Sequence, residues 1–370
     1  MKTLKFYFTV AFFLCSIGLS AQKFEGLAKT PPMGWNSWNK FACNVSEDLI
    51  KETADAMAAS GMKDAGYEYV VIDDCWQIGR DSLGFIVADP ERFPSGIKAL
   101  ADYIHSKGLK FGIYSCAGDK TCGGRPGSRG YEYQDALMYA KWGVDYLKYD
   151  WCSYGGVLDG LPENDPNKVS SLNFQGGGDL DKGVKPFKLM GNLLKQQSRD
   201  IVYNLCQYGM GDVWKWGDES DAQSWRTTND ITDTWASVKS IALAQDKAAP
   251  YAKPGNWNDP DMLVVGVVGW GNPHQSKLKP DEQYLHISLW SIFSAPLLIG
   301  CDLEKLDDFT LNLLTNDEVI AVNQDALGKQ GVCLQTIGEL RIYVKELEDG
   351  GKAVAFANFG REKIKMFYKD

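Results

Sequence analysis

From residue 31 onward, short apolar runs alternate with longer stretches in which apolar residues recur every three or four positions. The short runs predict strands over Met33–Trp38, Tyr67–Ile72, Lys110–Tyr114, Val144–Tyr149, Ile201–Leu205, Ser224–Thr228, Met262–Val265 and Pro296–Ile299. Several are apolar almost throughout, as expected of strands covered on both faces. The intervening stretches predict helices. Ser46 is placed to cap one that carries Leu49, Ile50, Thr53 and Met57 on a single stripe. Ser95 opens a second, which Gly108 closes, and Tyr131–Trp142 ends at Gly143. Pro186–Gln197 reads as a helix with proline at its first position, followed by Thr234–Ala244, Glu282–Phe293 and Asp307–Asn323. Strand and helix repeated in this way over roughly 300 residues fit a single (β/α)8 TIM barrel. A doubly wound open sheet is the runner-up. A nucleotide-binding sheet of that kind would carry a glycine-rich phosphate loop after its first strand, and Gly34-Trp35-Asn36-Ser37-Trp38 is not one.

The pattern differs at both ends. Lys2 and Lys5 precede an apolar run from Phe6 to Leu19, and Ser20-Ala21 forms a small-residue cleavage site, so residues 1–21 read as a secretory signal peptide. No other stretch approaches the roughly 18 apolar residues of a membrane span. The expectation is a soluble exported protein, periplasmic or extracellular. The barrel is assigned to 22–328. After Gly331, the segments Val332–Thr336, Glu339–Leu347, Ala353–Phe359 and Lys363–Lys369 read as four hairpin-linked strands, so 329–370 is expected to be a small, shortened antiparallel β domain. Four strands are too few for two packed layers. An apolar face left uncovered would favour a homo-oligomer or low solubility.

Charge and residue usage narrow the chemistry. A net charge of -9 without a basic block repels phosphate backbones and argues against nucleic acid as a partner. The chain has only three histidines, His105, His274 and His286, none close to another in sequence. Binuclear metal sites and serine-histidine-aspartate hydrolysis both fit that poorly, so acid/base chemistry falls to carboxylates. Of nine cysteines, Cys15 leaves with the leader. An oxidising compartment permits disulfides among the rest, but eight cysteines allow on the order of a hundred full pairings.

In a (β/α)8 barrel the functional groups sit where strands end. Asp73 and Asp74 follow Tyr69-Val70-Val71-Ile72, Asp150 follows Tyr149, and Trp225-Arg226 leads to Asp230. Trp38 and Tyr114 end two further runs. Asp259 and Asp261 fit less well, because they precede the Met262–Val265 run unless that strand begins near Trp257. A lone aspartate after a strand is commonly a helix cap. Several on one rim, with Lys148 and Arg226 placed among them, form a constellation. Two carboxylates without a usable histidine suit glycoside hydrolysis. Lys148 lies two residues before Asp150, on the same side of its strand, where it would hold Asp150 ionised as a nucleophile.

The motifs Pro32-Met33-Gly34-Trp35-Asn36-Ser37-Trp38, Tyr69-Val70-Val71-Ile72-Asp73-Asp74-Cys75-Trp76, Lys148-Tyr149-Asp150-Trp151-Cys152, Trp225-Arg226-Thr227-Thr228-Asn229-Asp230 and Trp257-Asn258-Asp259-Pro260-Asp261-Met262 resemble glycoside hydrolase family 27. That family contains the α-galactosidases and α-N-acetylgalactosaminidases. The resemblance runs from about Leu27 to Gly331. It implies a barrel, a retaining double displacement on terminal α-linked galactose, no metal or cofactor, and a C-terminal β-sandwich about twice as long as the appendix here. It places the nucleophile on Asp150 and the acid/base on Asp230. Sugar contacts fall on Trp38, Asp73, Asp74, Tyr114, Lys148, Arg226 and Asp261, with the Asp73/Asp74 pair suited to an axial 4-hydroxyl and a 6-hydroxyl. It also implies the disulfides Cys43–Cys75 and Cys122–Cys152. Two departures stand out. Gln207 occupies the position facing the sugar 2-hydroxyl, where glutamate is common, and Cys206 lacks its usual partner because Ala222 stands there. The alternatives are β-L-arabinopyranosidase or α-N-acetylgalactosaminidase activity on the same scaffold, or an inactive galactose-binding protein.

Overall fold

The computed structural model describes residues 26–155 and 180–365; the predicted leader lies outside them. Eight parallel strands form one sheet: β1 (Met33–Asn36), β2 (Tyr69–Val71), β3 (Lys110–Cys116), β4 (Tyr146–Asp150), β5 (Val202–Cys206), β6 (Ser224–Arg226), β7 (Trp257–Asp259) and β8 (Leu297–Ile299). They run in sequence order with β8 beside β1. A parallel bridge from Leu263 to Ile299 joins the chain just after β7 to β8 and closes the ring. This is the (β/α)8 barrel that the alternating pattern predicts. One strand was misplaced. The seventh is Trp257–Asp259, not the more apolar Met262–Val265, so Asp259 and Asp261 lie at a strand's C-terminal end with the other carboxylates.

The period of two along each strand divides the apolar residues into two shells. Tyr69, Val71, Tyr146, Val202, Met262 and Leu298 pack together inside the barrel. Val70, Ile72, Phe111, Ile113, Leu147, Tyr149, Tyr203 and Leu205 face the helices in the larger core. The same alternation continues upward. With Tyr146 in the lumen, Lys148 and Asp150 also point inward, the lower of them above an apolar plug and both below the mouth.

The longer helices among the described residues are α1 (Glu47–Ala59), α2 (Gly96–Ser106), α3 (Glu132–Trp142), α4 (Leu180–Lys195), α5 (Trp235–Leu243), α6 (Pro280–Ile292), α7 (Asp308–Leu314) and α8 (Asp317–Asn323). Ser46 caps α1, its Oγ accepting from Leu49 N at 3.3 Å, and Gly143 closes α3 in the left-handed region at φ 85°. Two expectations need correction. Pro186 lies inside α4, which begins earlier than predicted. The single helix expected over Asp307–Asn323 is two, because Asn316 accepts from Val319 N and starts a new N-terminus.

Beyond the barrel, β9 (Val332–Ile337), β10 (Leu340–Glu346) and β11 (Lys352–Asn358) form an antiparallel sheet. The predicted fourth strand is absent from 363–365, and its remainder lies outside the described residues. One face packs on the barrel through buried Tyr343, Lys345 and Ala357, with the Tyr343 ring 5.2 Å from that of Phe293. Val332, Leu334, Val354 and Phe356 are exposed.

Candidate active site

The C-terminal ends of the strands enclose a pocket with about 400 Å³ of empty space, open to solvent. Its lining includes Trp38, Asp73, Asp74, Tyr114, Lys148, Asp150, Arg226, Asp230 and Asp261, all singled out from sequence. The strand-end positions of a barrel bring together residues as far apart in sequence as Trp38 and Asp261 in this way.

The floor is a charge network. Asp73 Oδ2 accepts hydrogen bonds from Asn36 Nδ2 and Lys148 Nζ, both at 2.8 Å. Burial would pull the Lys148 ammonium down, but the Asp73 carboxylate leaves it well above its ordinary value. Asp74 Oδ2 accepts from Gly123 N at 2.6 Å. A side chain at Gly123 would collide with Asp74 and with the Cys75 sulfur, so only glycine lets this loop approach. Disulfides Cys43–Cys75 and Cys122–Cys152 tie the loops on either side, the second beside Asp150.

Asp150 is 4% exposed and has three hydrogen-bond donors. Tyr208 Oη donates to Oδ1 at 2.8 Å, Trp151 N to Oδ1 at 2.6 Å, and Tyr114 Oη to Oδ2 at 3.0 Å. Burial pushes its carboxyl up from the ordinary value, and the Asp230 charge adds to this. The Lys148 charge and the bonds from Tyr208 and Trp151 oppose the shift by favouring the carboxylate. The expected support from Lys148 is therefore electrostatic, since its hydrogen bond goes to Asp73.

Asp230 is different: its side chain is 66% exposed and stands at the mouth. Arg226 Nη2 lies 3.1 Å from Asp230 Oδ1 and 3.0 Å from Asp261 Oδ2, and so joins the rim to the wall. Burial raises the Asp261 carboxyl while Arg226 opposes the rise. Asp261 is held by Ile231 N and Met262 N at 2.8 Å each and adopts φ 83°.

Gln207 does not line this pocket. Its amide donates to Met210 O and accepts from Gly209 N, both at 2.9 Å, which turns it away from the cavity. The next residue, Tyr208, enters instead. Sequence reasoning missed Tyr208, Asn39, Met262 and Trp270 as lining residues. For Trp270 a signal existed, a tryptophan between two glycines at Gly269 and Gly271. His105 is structural, its Nε2 lying 2.7 Å from Asp145 Oδ2 away from the pocket. Among the described residues, the one cluster of potential metal ligands is Cys122, Asp150 and Cys152. Both sulfurs are bound in the disulfide, which leaves a single carboxylate.

The family model described as alpha galactosidase A matches residues 30–178 and 165–325. Alpha-galactosidase A of Cellvibrio japonicus is 46% identical over 360 residues, covering 94% of this chain and 81% of that protein. Alpha-galactosidase I of Mortierella vinacea superposes with a TM-score of 0.80 at 37% identity, covering 90% of this chain and 82% of the other. A β-L-arabinopyranosidase of Geobacillus stearothermophilus is similar at a TM-score of 0.75 and 28% identity, covering 90% and 84%.

Proposed function

Because this chain belongs to the alpha-galactosidase A family, we propose that Asp150 and Asp230 are respectively the nucleophile and the general acid/base of its reaction. The chain is an α-galactosidase, a retaining glycosidase whose substrate is a carbohydrate ending in α-linked galactose. The observation that carries the role assignment is the contrast between the two carboxyl groups. Asp150 is enclosed and braced by three donors, whereas Asp230 is exposed at the mouth. A nucleophile must be ionised and held in line, and a proton donor must reach both the leaving oxygen and water.

In the first step an Asp150 oxygen attacks the anomeric carbon. The glycosidic C–O bond breaks, and Asp230 gives its proton to the leaving oxygen. The galactosyl ester on Asp150 is then attacked by water, which loses a proton to Asp230, and the ester bond breaks to restore Asp150. Two inversions retain the α configuration. Asp73 and Asp74 supply fixed acceptors for sugar hydroxyls, and Lys148 a fixed donor, at the closed end. Trp38, Tyr114, Arg226 and Asp261 complete the wall around the ring.

Export follows the same line of inference. Two disulfides suit an oxidising compartment, periplasmic or extracellular, and no described helix is long and apolar enough to cross a membrane. We assign residues 22–328 to the catalytic unit and 329–370 to the appended β unit.

The test is a panel of chromogenic glycosides with wild type, Asp150→Asn and Asp230→Asn. Galactosides should be cleaved on the order of a hundredfold faster than glucosides, since an acceptor left unpaired in a buried site costs about 1–3 kcal/mol. Asp150→Asn should retain less than about a hundredth of the activity, and Asp230→Asn should recover only on substrates with good leaving groups. Substantial turnover by Asp150→Asn would remove it from the nucleophile role. Arabinopyranosides belong on the panel because their ring is galactose without its C6 arm.

A further inference from the structure

A pocket that encloses a terminal sugar leaves one exit for the rest of the substrate, the mouth. The buried Asp73, Asp74 and Lys148 mark the closed end, and the exposed Asp230 marks the opening. Trp270 lines this pocket and is only partly buried, so it stands toward the opening rather than the floor. Its backbone is unusual: φ is 48° at Trp270, between Gly269 at 132° and Gly271 at 94°. Glycine accepts that region freely, while a bulky L-residue there is strained and must be held by its surroundings.

The surroundings do hold it. The N–H groups of Gly269 and Trp270 both donate to Asn39 O, at 2.8 and 2.9 Å, and that of Gly271 donates to Lys40 O at 3.0 Å. A two-strand ribbon, Val267–Val268 with His274–Gln275, braces the loop from behind. Its far side is latched to the segment carrying Asp230. Asp233 Oδ2 lies 2.9 Å from His274 Nε2 and accepts from Lys277 N at 3.1 Å, and Lys277 Nζ reaches Oδ1 at 3.3 Å. Asp233 is 1% exposed, while its partners His274 and Lys277 reach it from the surface. A hairpin fixed at both ends thus fixes a strained tryptophan in the lining of the pocket that Asp230 also lines.

We propose that Trp270 is the platform for the leaving group, with its ring against the CH face of the sugar attached to the galactose anomeric oxygen. Asp230 hands its proton to that oxygen, so a ring held at the same rim aligns the departing sugar with the acid. A flat apolar surface suits this task, because the leaving sugar varies in hydroxyl pattern while every pyranose offers a CH face. The hairpin is then a determinant of which oligosaccharides are cleaved well, separate from the floor that selects galactose.

The inference rests on the galactosidase reading, and the two fail differently. Two substrates separate them: α-galactosyl-(1→6)-glucose, which has a leaving sugar, and α-galactosyl fluoride, which has none. The quantity to measure is the ratio of kcat/KM for the disaccharide to kcat/KM for the fluoride. Trp270→Ala should lower that ratio about tenfold, as expected for one lost ring contact. Trp270→Leu keeps apolar bulk on the loop and should lower it similarly, and it decides the matter if the alanine variant does not fold. Trp270→Phe should keep the ratio within about twofold, because a stacking face remains. A ratio equal to wild type in both Trp270→Ala and Trp270→Leu overturns the proposal. Failure of the wild type to hydrolyse the fluoride would instead remove the galactosidase reading.

Discussion

Tyr208→Phe is the sharpest probe of how Asp150 is kept reactive. Burial disfavours the Asp150 carboxylate, and the Tyr208 hydroxyl is one of the groups that offset this, donating to Oδ1 at 2.8 Å. Phenylalanine keeps the ring near Arg226, whose guanidinium carbon lies 5.7 Å from the ring centre, and removes only the donor. A hydrogen bond to a charged group contributes about 1.5–3 kcal/mol. At about 1.4 kcal/mol per pH unit, complete loss would raise the carboxyl by about 1–2 units. The pocket is open, so water will replace part of the bond, and about 1 unit is the expected shift. The sign is fixed. The lost bond favoured the charged form, so the acid limb of kcat/KM, which reports the free enzyme, moves to higher pH. The assay is a pH profile on a chromogenic α-galactoside. Tyr114→Phe should move the limb the same way, because Tyr114 serves Oδ2 at 3.0 Å. An acid limb that stays in place or moves down in Tyr208→Phe, with measurable activity at its plateau, would refute the claim that these hydroxyls sustain the nucleophile.

Two further expectations concern the appended sheet. Lys345 is fully buried, and its Nζ donates to the uncharged Ser294 Oγ and Val322 O, both at 2.5 Å. Burial pushes its ammonium down to about 8. The unfolded chain therefore binds more protons between about pH 8 and 10.5, so stability rises through that window and the cost is fully present below it. Lys345→Met should remove about 3 kcal/mol of that cost at pH 7, with the loss of two hydrogen bonds leaving a net gain of about 1 kcal/mol. Thermal melts should show a gain at pH 7 that vanishes near about pH 9 and reverses to a loss of about 2 kcal/mol by about pH 10.5; a less stable variant at pH 7 would contradict it. The exposed Val332, Leu334, Val354 and Phe356 are expected to drive self-association. Light scattering should then show a mass that rises with concentration and falls in Phe356→Lys, and a concentration-independent monomer would count against it.

The barrel was legible in the sequence because two periodicities sufficed to find it. Apolar runs marked strands, and the residue types just past them, Asp73, Asp74 and Asp150, marked the functional rim. Where local signals competed, the sequence misled. Met262–Val265 is more apolar than Trp257-Asn258-Asp259, yet the polar residues form the seventh strand because they have partners. Asn258 Nδ2 donates to Ala248 O and Gln330 Oε1, and Asp259 Oδ2 accepts from Asn204. Likewise the glycine at 183 concealed the first turns of α4, and Pro186 suggested a start that lies inside it.

Two of the misses at the site, Tyr208 and Trp270, share one physical cause: they adopt φ of 63° and 48°, in the left-handed region that side chains rarely enter. Strand alternation predicts where a side chain points only while the backbone stays extended. At residues 207–208 the chain leaves that regime, so Gln207, expected beside the sugar, turns to the backbone of Met210, and Tyr208 takes the pocket. Trp270 is further still from any strand, and only its flanking glycines hint at the turn. The residues that strand geometry fixes, Asp73, Lys148, Asp150 and Arg226, line the inner part of the pocket, the part proposed above to hold galactose. Of those set by left-handed turns, Tyr208 reaches in to Asp150, while Trp270 is only partly buried and lies toward the mouth, where substrates differ most. A loop can change there without disturbing the barrel beneath it, and so the least legible part of the site is also the part freest to set which galactosides are cleaved.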